Sequence, residues 1–218
     1  MKFLLISCLG IGLAFATGLW AEGRLVNRHT SVPGVQANAR LIGYASIVLL
    51  IPLGAEVLTG VRLGLVAHAL IGFLLVPPLL VKLGSVGYRF IRYYTGNRQY
   101  RLAGPPYPLM RVLGAGLVLI TIVLFATGIE LWLFGFRYGE QWVTWHKVAF
   151  VLWLLGITVH VVAYLPRSAE LTLADWRTRL PGAPTRLSLV IAGIALGVGL
   201  LLAMVPFRSP FMAVFGGG

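Results

Sequence analysis

The chain has 218 residues, of which 58% are hydrophobic and 11% are charged. A soluble domain carries about 25% charged residues, so this composition excludes an ordinary soluble fold. The net charge of +12 does not point to nucleic acid, because the basic residues flank long apolar runs and read as topology signals.

Six apolar spans are predicted. They run Phe3–Trp20, Leu41–Leu58, Val61–Leu83, Val112–Phe134, Trp142–Leu165 and Leu187–Phe207. The runs are continuous rather than alternating, which predicts helices and not a barrel. The first has the basic flank and the small-x-small site (Ala14-Phe15-Ala16) of a leader, but it is read as a retained helix. Spans two to five are expected to form a four-helix haem-binding bundle over residues 41–165. Residues 1–40 add a helix and an inner loop, and residues 166–218 add a second inner loop and a last helix.

Arginines cluster after the first, third and fifth spans: Arg24, Arg28 and Arg40; Arg89, Arg92, Arg98, Arg101 and Arg111; Arg167, Arg177, Arg179 and Arg186. That side is expected to be cytoplasmic, with both termini outside. The stretch Asp175-Trp176-Arg177 is expected to form either a short amphipathic helix on that surface or a loop. Trp132, Trp142 and Trp145 are expected in an outer aromatic belt.

The lone cysteine, Cys8, rules out a Cys-x-x-Cys-His attachment, so any haem is non-covalent. Chemistry therefore falls to histidine. His146 and His160 are fourteen residues apart, close to four helical turns, and so share one face about 21 Å apart along the axis. Across a core about 30 Å thick, one imidazole lies near each surface. A weak repeat supplies a partner. Glu56-Val57-Leu58-Thr59-Gly60 precedes His68, and Thr127-Gly128-Ile129-Glu130 precedes His146. His68 and His146 are expected at one depth on parallel helices, able to hold iron between them as a bis-histidine electron carrier. A polar bridge between helices is the plainer alternative.

The same register opposite His160 gives Lys82, not histidine. Three roles stay open: Lys82 ligates iron; it pairs with a propionate or quinone oxygen while another group, such as His29, ligates; or the inner haem is absent and His160 binds quinone. Arg89 and Arg92, with Tyr93 and Tyr94, are candidates to hold propionates or anionic lipid. Glu56 and Glu130 are either helix-end surface carboxylates or groups that orient the histidines. Pro77-Pro78 is expected to kink the third span. Gly64, Gly72, Gly114, Gly116 and Gly156 are candidates for close packing.

His146-Lys147-x12-His160 resembles the ligand helix of bacterial di-haem b-type cytochromes. His68-Ala-Leu-Ile-Gly-Phe, Pro77-Pro78-Leu-Leu-Val-Lys82 and Tyr88-Arg89-Phe-Ile-Arg92-Tyr93-Tyr94-Thr95-Gly96 resemble small bacterial cytochrome b/b6-domain membrane proteins. The likeness covers about Leu41 to Leu165 and departs from the di-haem pattern at Lys82. It implies one haem b at His68 and His146, a second haem or a quinone at His160, and residence in the bacterial cytoplasmic membrane. It further implies electron transfer between a quinone pool or flavoprotein and partner redox subunits. With no soluble cofactor domain, the chain is expected to be an electron-transfer subunit with no catalytic centre of its own. A pigment-binding or structural subunit of a larger membrane complex is the alternative reading. A transporter is weaker, because its site is expected near the midplane.

Overall fold

The computed structural model describes residues 2–26, 33–61 and 64–215. Among these the chain forms eight helices and no strand: α1 (Lys2–Leu25), α2 (Pro33–Val61), α3 (Leu65–Tyr94), α4 (Arg98–Ala103), α5 (Pro108–Phe134), α6 (Gln141–Thr178), α7 (Ala183–Met204) and α8 (Pro210–Phe215). Five of them, α2, α3, α5, α6 and α7, are long and apolar enough to cross a membrane. Large apolar side chains point away from the protein all round them, Ile51 being 83% exposed and Leu196 67%. Such surfaces match lipid, and helices satisfy the backbone there. The chain is a multi-pass membrane protein.

The helices outrun the apolar spans. α2 begins at Pro33, eight residues before Leu41, and α3 continues to Tyr94. α6 has 38 residues, about 57 Å at 1.5 Å per residue, well beyond a core of about 30 Å. Asp175-Trp176-Arg177 is therefore neither a separate surface helix nor a loop; it is the last turns of α6. Hydropathy marks where a helix leaves lipid, not where its hydrogen bonds stop. α3 stays helical through Pro77 and Pro78. His29 and Gly216–Gly218 lie outside the described residues.

Packing follows the sequence repeat. α2 and α3 form one hairpin, α5 and α6 a second, and the hairpins meet along α2–α6 and, more thinly, along α3–α5. Around this ring α3 and α6 sit on a diagonal. α1 lies along α6, where a Cβ on Gly18 would stand 2.6 Å from Val162 Cβ. α7 lies along α3, and there Gly193 and Gly197 back onto Pro78 and Leu74. Pro78 has no N–H, so it leaves the Leu74 carbonyl without its helical donor. A Cβ on Gly197 would overlap that oxygen; a glycine lets the two backbones close over it.

A polar clamp joins three helices at the arginine-rich end. Asp175 is fully buried and takes two hydrogen bonds from Arg186, Nε at 2.9 Å and Nη2 at 2.6 Å. Arg40 of α2 approaches the same carboxylate at 4.0 Å. This bidentate geometry is the strong form of a guanidinium–carboxylate pair.

Candidate haem site

The end of the bundle that holds His68 and His146 is termed outer, after the charge pattern. His68 stands in the first turn of α3, and its main-chain N–H donates to Gly64 at 2.7 Å. His146 stands in the second turn of α6. Their ring centroids are 6.1 Å apart and the planes are almost perpendicular, at 84°. The diagonal placement of α3 and α6 brings the two rings together edge to face across the cavity.

Each imidazole is held from behind at Nδ1. His68 Nδ1 lies 3.1 Å from the main-chain oxygen of Glu56 and 3.3 Å from Glu56 Oε1. A carbonyl oxygen only accepts, so His68 Nδ1 carries the hydrogen. His146 Nδ1 lies 3.0 Å from Thr127 Oγ1. That hydroxyl also reaches the carbonyls of Val123 at 2.8 Å and Leu124 at 3.0 Å. Its single proton goes to the carbonyls, so it accepts from His146 Nδ1–H. A neutral ring that donates at Nδ1 leaves its Nε2 lone pair free. That is the form a metal-ligating histidine takes when its other nitrogen donates to a carbonyl or hydroxyl.

The repeat seen in the sequence is a repeat in space. Thr59 bonds the carbonyls of Ala55 and Glu56 as Thr127 bonds those of Val123 and Leu124. The glycine after each threonine abuts the histidine of its own hairpin. A Cβ on Gly60 would lie 2.9 Å from His68 Cε1, and one on Gly128 3.1 Å from His146 Cε1. Neither glycine was singled out by composition, although the Thr-Gly repeat marked both.

The histidines line a cavity of about 250 Å³ bordered by α2, α3, α5 and α6, with α8 along one side. Its walls are apolar, with Leu53, Phe73, Phe125 and Phe150 among them. Trp132 lines it too and is 6% exposed, so it belongs inside the protein and not to an outer belt. Trp145, by contrast, is 54% exposed. The C-terminal segment brings Phe211 and Met212 over the cavity, fixed by Ser209 Oγ donating to the Trp132 carbonyl at 2.7 Å. Gly135, at φ 63°, lets α5 end beneath it; a Cβ there would stand 3.1 Å from Phe211 N. No feature of the sequence signalled this strap.

Of the two carboxylates considered, Glu56 faces His68, whereas the position behind His146 is taken by Thr127. Both carboxylate oxygens of Glu130 are buried without a hydrogen-bond partner among the described residues. Gly114 and Gly116 meet nothing within 4 Å, while Gly72 faces Glu56 Oε1 and Gly156 faces Leu117.

At the inner end Lys82 lies within electrostatic reach of His160, as the fourteen-residue register requires. His160 Nδ1 is buried with no hydrogen-bond partner among the described residues, and its ring packs on Tyr164 at 4.8 Å. Arg92 stacks over Tyr88 at 5.8 Å. The two ends are built differently: a pair of oriented imidazoles outside, an imidazole among cations inside.

Among the described residues no group of three or more His, Cys, Asp or Glu converges as a metal site. Two imidazoles alone under-coordinate a bare ion, but they complete an iron whose other four positions a macrocycle fills. Comparisons with protein families, with characterised proteins and with solved structures find no match.

Proposed function

We propose that the chain is a membrane-embedded b-type cytochrome subunit, with haem b held between His68 and His146. The observation that carries this reading is the pair of imidazoles from two hairpins, each hydrogen-bonded from behind at Nδ1, with ring centroids 6.1 Å apart. His68 and His146 would hold the iron, and their 6.1 Å centroid separation is of the order of one metal between two rings.

When bound, such a haem would supply a reversible one-electron carrier. The chain's own residues do the rest. Glu56 and Thr127 set the tautomers and fix the rings. Gly60 and Gly128 leave room for the imidazoles against α2 and α5. The apolar walls lower the polarity around the site, which raises the cost of a net charge change there and so would shape the potential.

The four helices α2, α3, α5 and α6 form the haem bundle in this reading, and α1, 24 residues long, is the sixth membrane span. Electrons pass between a quinone pool or a flavoprotein and a partner redox subunit, with the protein in a bacterial cytoplasmic membrane. His160 and Lys82 serve an inner haem or quinone. A chlorophyll usually takes one axial ligand, so facing imidazoles at one depth weigh against the pigment-binding alternative.

The deciding experiment is an absorption spectrum of the purified protein, oxidised and then reduced with dithionite. The sharp α-band of a low-spin b-type haem is expected, and it should vanish in His68→Ala and His146→Ala. A protein purified with added haem that shows no such band refutes the assignment. Pyridine haemochrome stoichiometry then separates one haem from two.

A further inference from the structure

The cavity beside the two histidines has one cation on its wall. Along α6 the residues that line it are Val143, His146, Lys147, Phe150 and Trp153. They recur at the three- and four-residue intervals of a single helix face. Apart from the histidine, that face is apolar until Lys147 interrupts it. Lys147 stands in the second turn of α6, next in sequence to His146. Among the described residues no other lysine or arginine lines the cavity. Lys147 is also exposed as a residue, which puts it at the margin of the cavity and not in its depth.

A b-type haem has two unlike edges. One carries only methyl and vinyl groups and suits walls such as Leu53, Phe73 and Phe125. The other carries two propionate carboxylates. A carboxylate taken into an apolar cavity without a partner is costly, whereas one that meets an ammonium gains a charge-assisted hydrogen bond. Glu56 is the one carboxylate on the wall, 3.3 Å from His68 Nδ1, and it offers a propionate no positive charge. The wall therefore has a single place that answers a propionate, and it is on the helix that carries His146.

We propose that Lys147 holds one propionate of the haem, its ammonium donating to the carboxylate and so fixing which edge of the macrocycle lies along that side of α6. The assignment rests on the haem reading given above.

The test compares haem with haem dimethyl ester, in which both propionates are neutral. The full chain in detergent is loaded with one or the other and mixed with excess apomyoglobin, and the rate of loss is read from the Soret band. Lys147→Gln should speed the loss of haem by roughly 3- to 10-fold and leave the loss of the ester unchanged. Lys147→Arg should keep the wild-type rates. Equal acceleration for haem and ester would mean that Lys147 only supports the fold, and no acceleration of either would mean that it only snorkels to the surface; each result overturns the assignment. Should the Gln variant fail to fold, the wild type decides. Added salt should then speed the loss of haem more than that of the ester, and an equal response overturns the assignment. A wild type that takes up neither haem nor ester overturns the haem reading as well, whereas both loaded with no difference between them overturns the role of Lys147 alone.

Discussion

Thr127 and His146 meet at 3.0 Å, and the direction of that hydrogen bond is set by the two main-chain carbonyls that take the threonine's proton. A single hydroxyl thereby decides which nitrogen of His146 is free. Thr127→Val keeps the shape and removes the acceptor. A buried donor left unsatisfied costs about 1–3 kcal/mol, and loss of such a support weakens metal-ligand affinity about 10–100-fold. On the haem reading, haem content by pyridine haemochrome should fall in this variant while the helical circular dichroism signal stays. Full haem retention at limiting haem supply would refute the role given to Thr127.

Gly60 is where α2 comes closest to the His68 ring. Gly60→Ala forces the imidazole to move by several tenths of an ångström, since a Cβ would stand 2.9 Å from Cε1. The reduced spectrum of the variant should be broadened or weakened. Gly12→Ala is a matched control, because a Cβ there meets nothing within 4 Å. Identical spectra for both variants would show that His68 is not held where α2 places it.

Much of the fold was legible because lipid imposes a simple rule: a helix inside it must be apolar along its whole surface. Three of the five spans from Leu41 onward fall wholly within a helix, while Val61–Leu83 starts before α3 and Leu187–Phe207 runs past the end of α7. Helix ends were not legible. Arg89 and Asp175 lie on helices that continue past the lipid, and a charged helical turn has the same composition as a loop. The His68–His146 pairing was legible because a fixed register and a shared strand-free topology leave few positions at one depth. Thr127, not a carboxylate, stands behind His146, and a threonine on an apolar helix carries no mark that distinguishes this role. Trp132 was misread because a tryptophan at a span end looks the same whether it faces lipid or core.

Asp175 and Arg186 are separated in sequence by the turn between α6 and α7, so nothing local announced their pairing. Removing one partner of a buried pair is expected to cost about 3–5 kcal/mol, whereas replacing both with apolar groups is often neutral. Arg186→Met should therefore lower the thermal midpoint sharply. Asp175→Leu/Arg186→Met should recover much of the loss, short of full recovery because Arg40 also approaches Asp175. Additive losses in a double-mutant cycle would show that the two side chains act independently.

Gly197 lies where α7 presses on the carbonyl that Pro78 leaves without a donor. Gly197→Val places branched carbons into that oxygen and should detach α7 from α3, with a stability loss of about 1–3 kcal/mol from overpacking. Cysteine cross-linking between α3 and α7 checks this: Leu74→Cys paired with Val198→Cys should lose yield once valine is at 197. An unchanged yield would mean that the close approach is not needed for docking.

His68 and His146 belong to different hairpins, one to each copy of the repeat. The hairpins touch chiefly along α2–α6 and thinly along α3–α5. A ligand gripped by both imidazoles is thus a staple between two half-proteins, and its binding energy is assembly energy. Cofactor supply would then govern how much chain matures, and the colour of a preparation would count closed molecules.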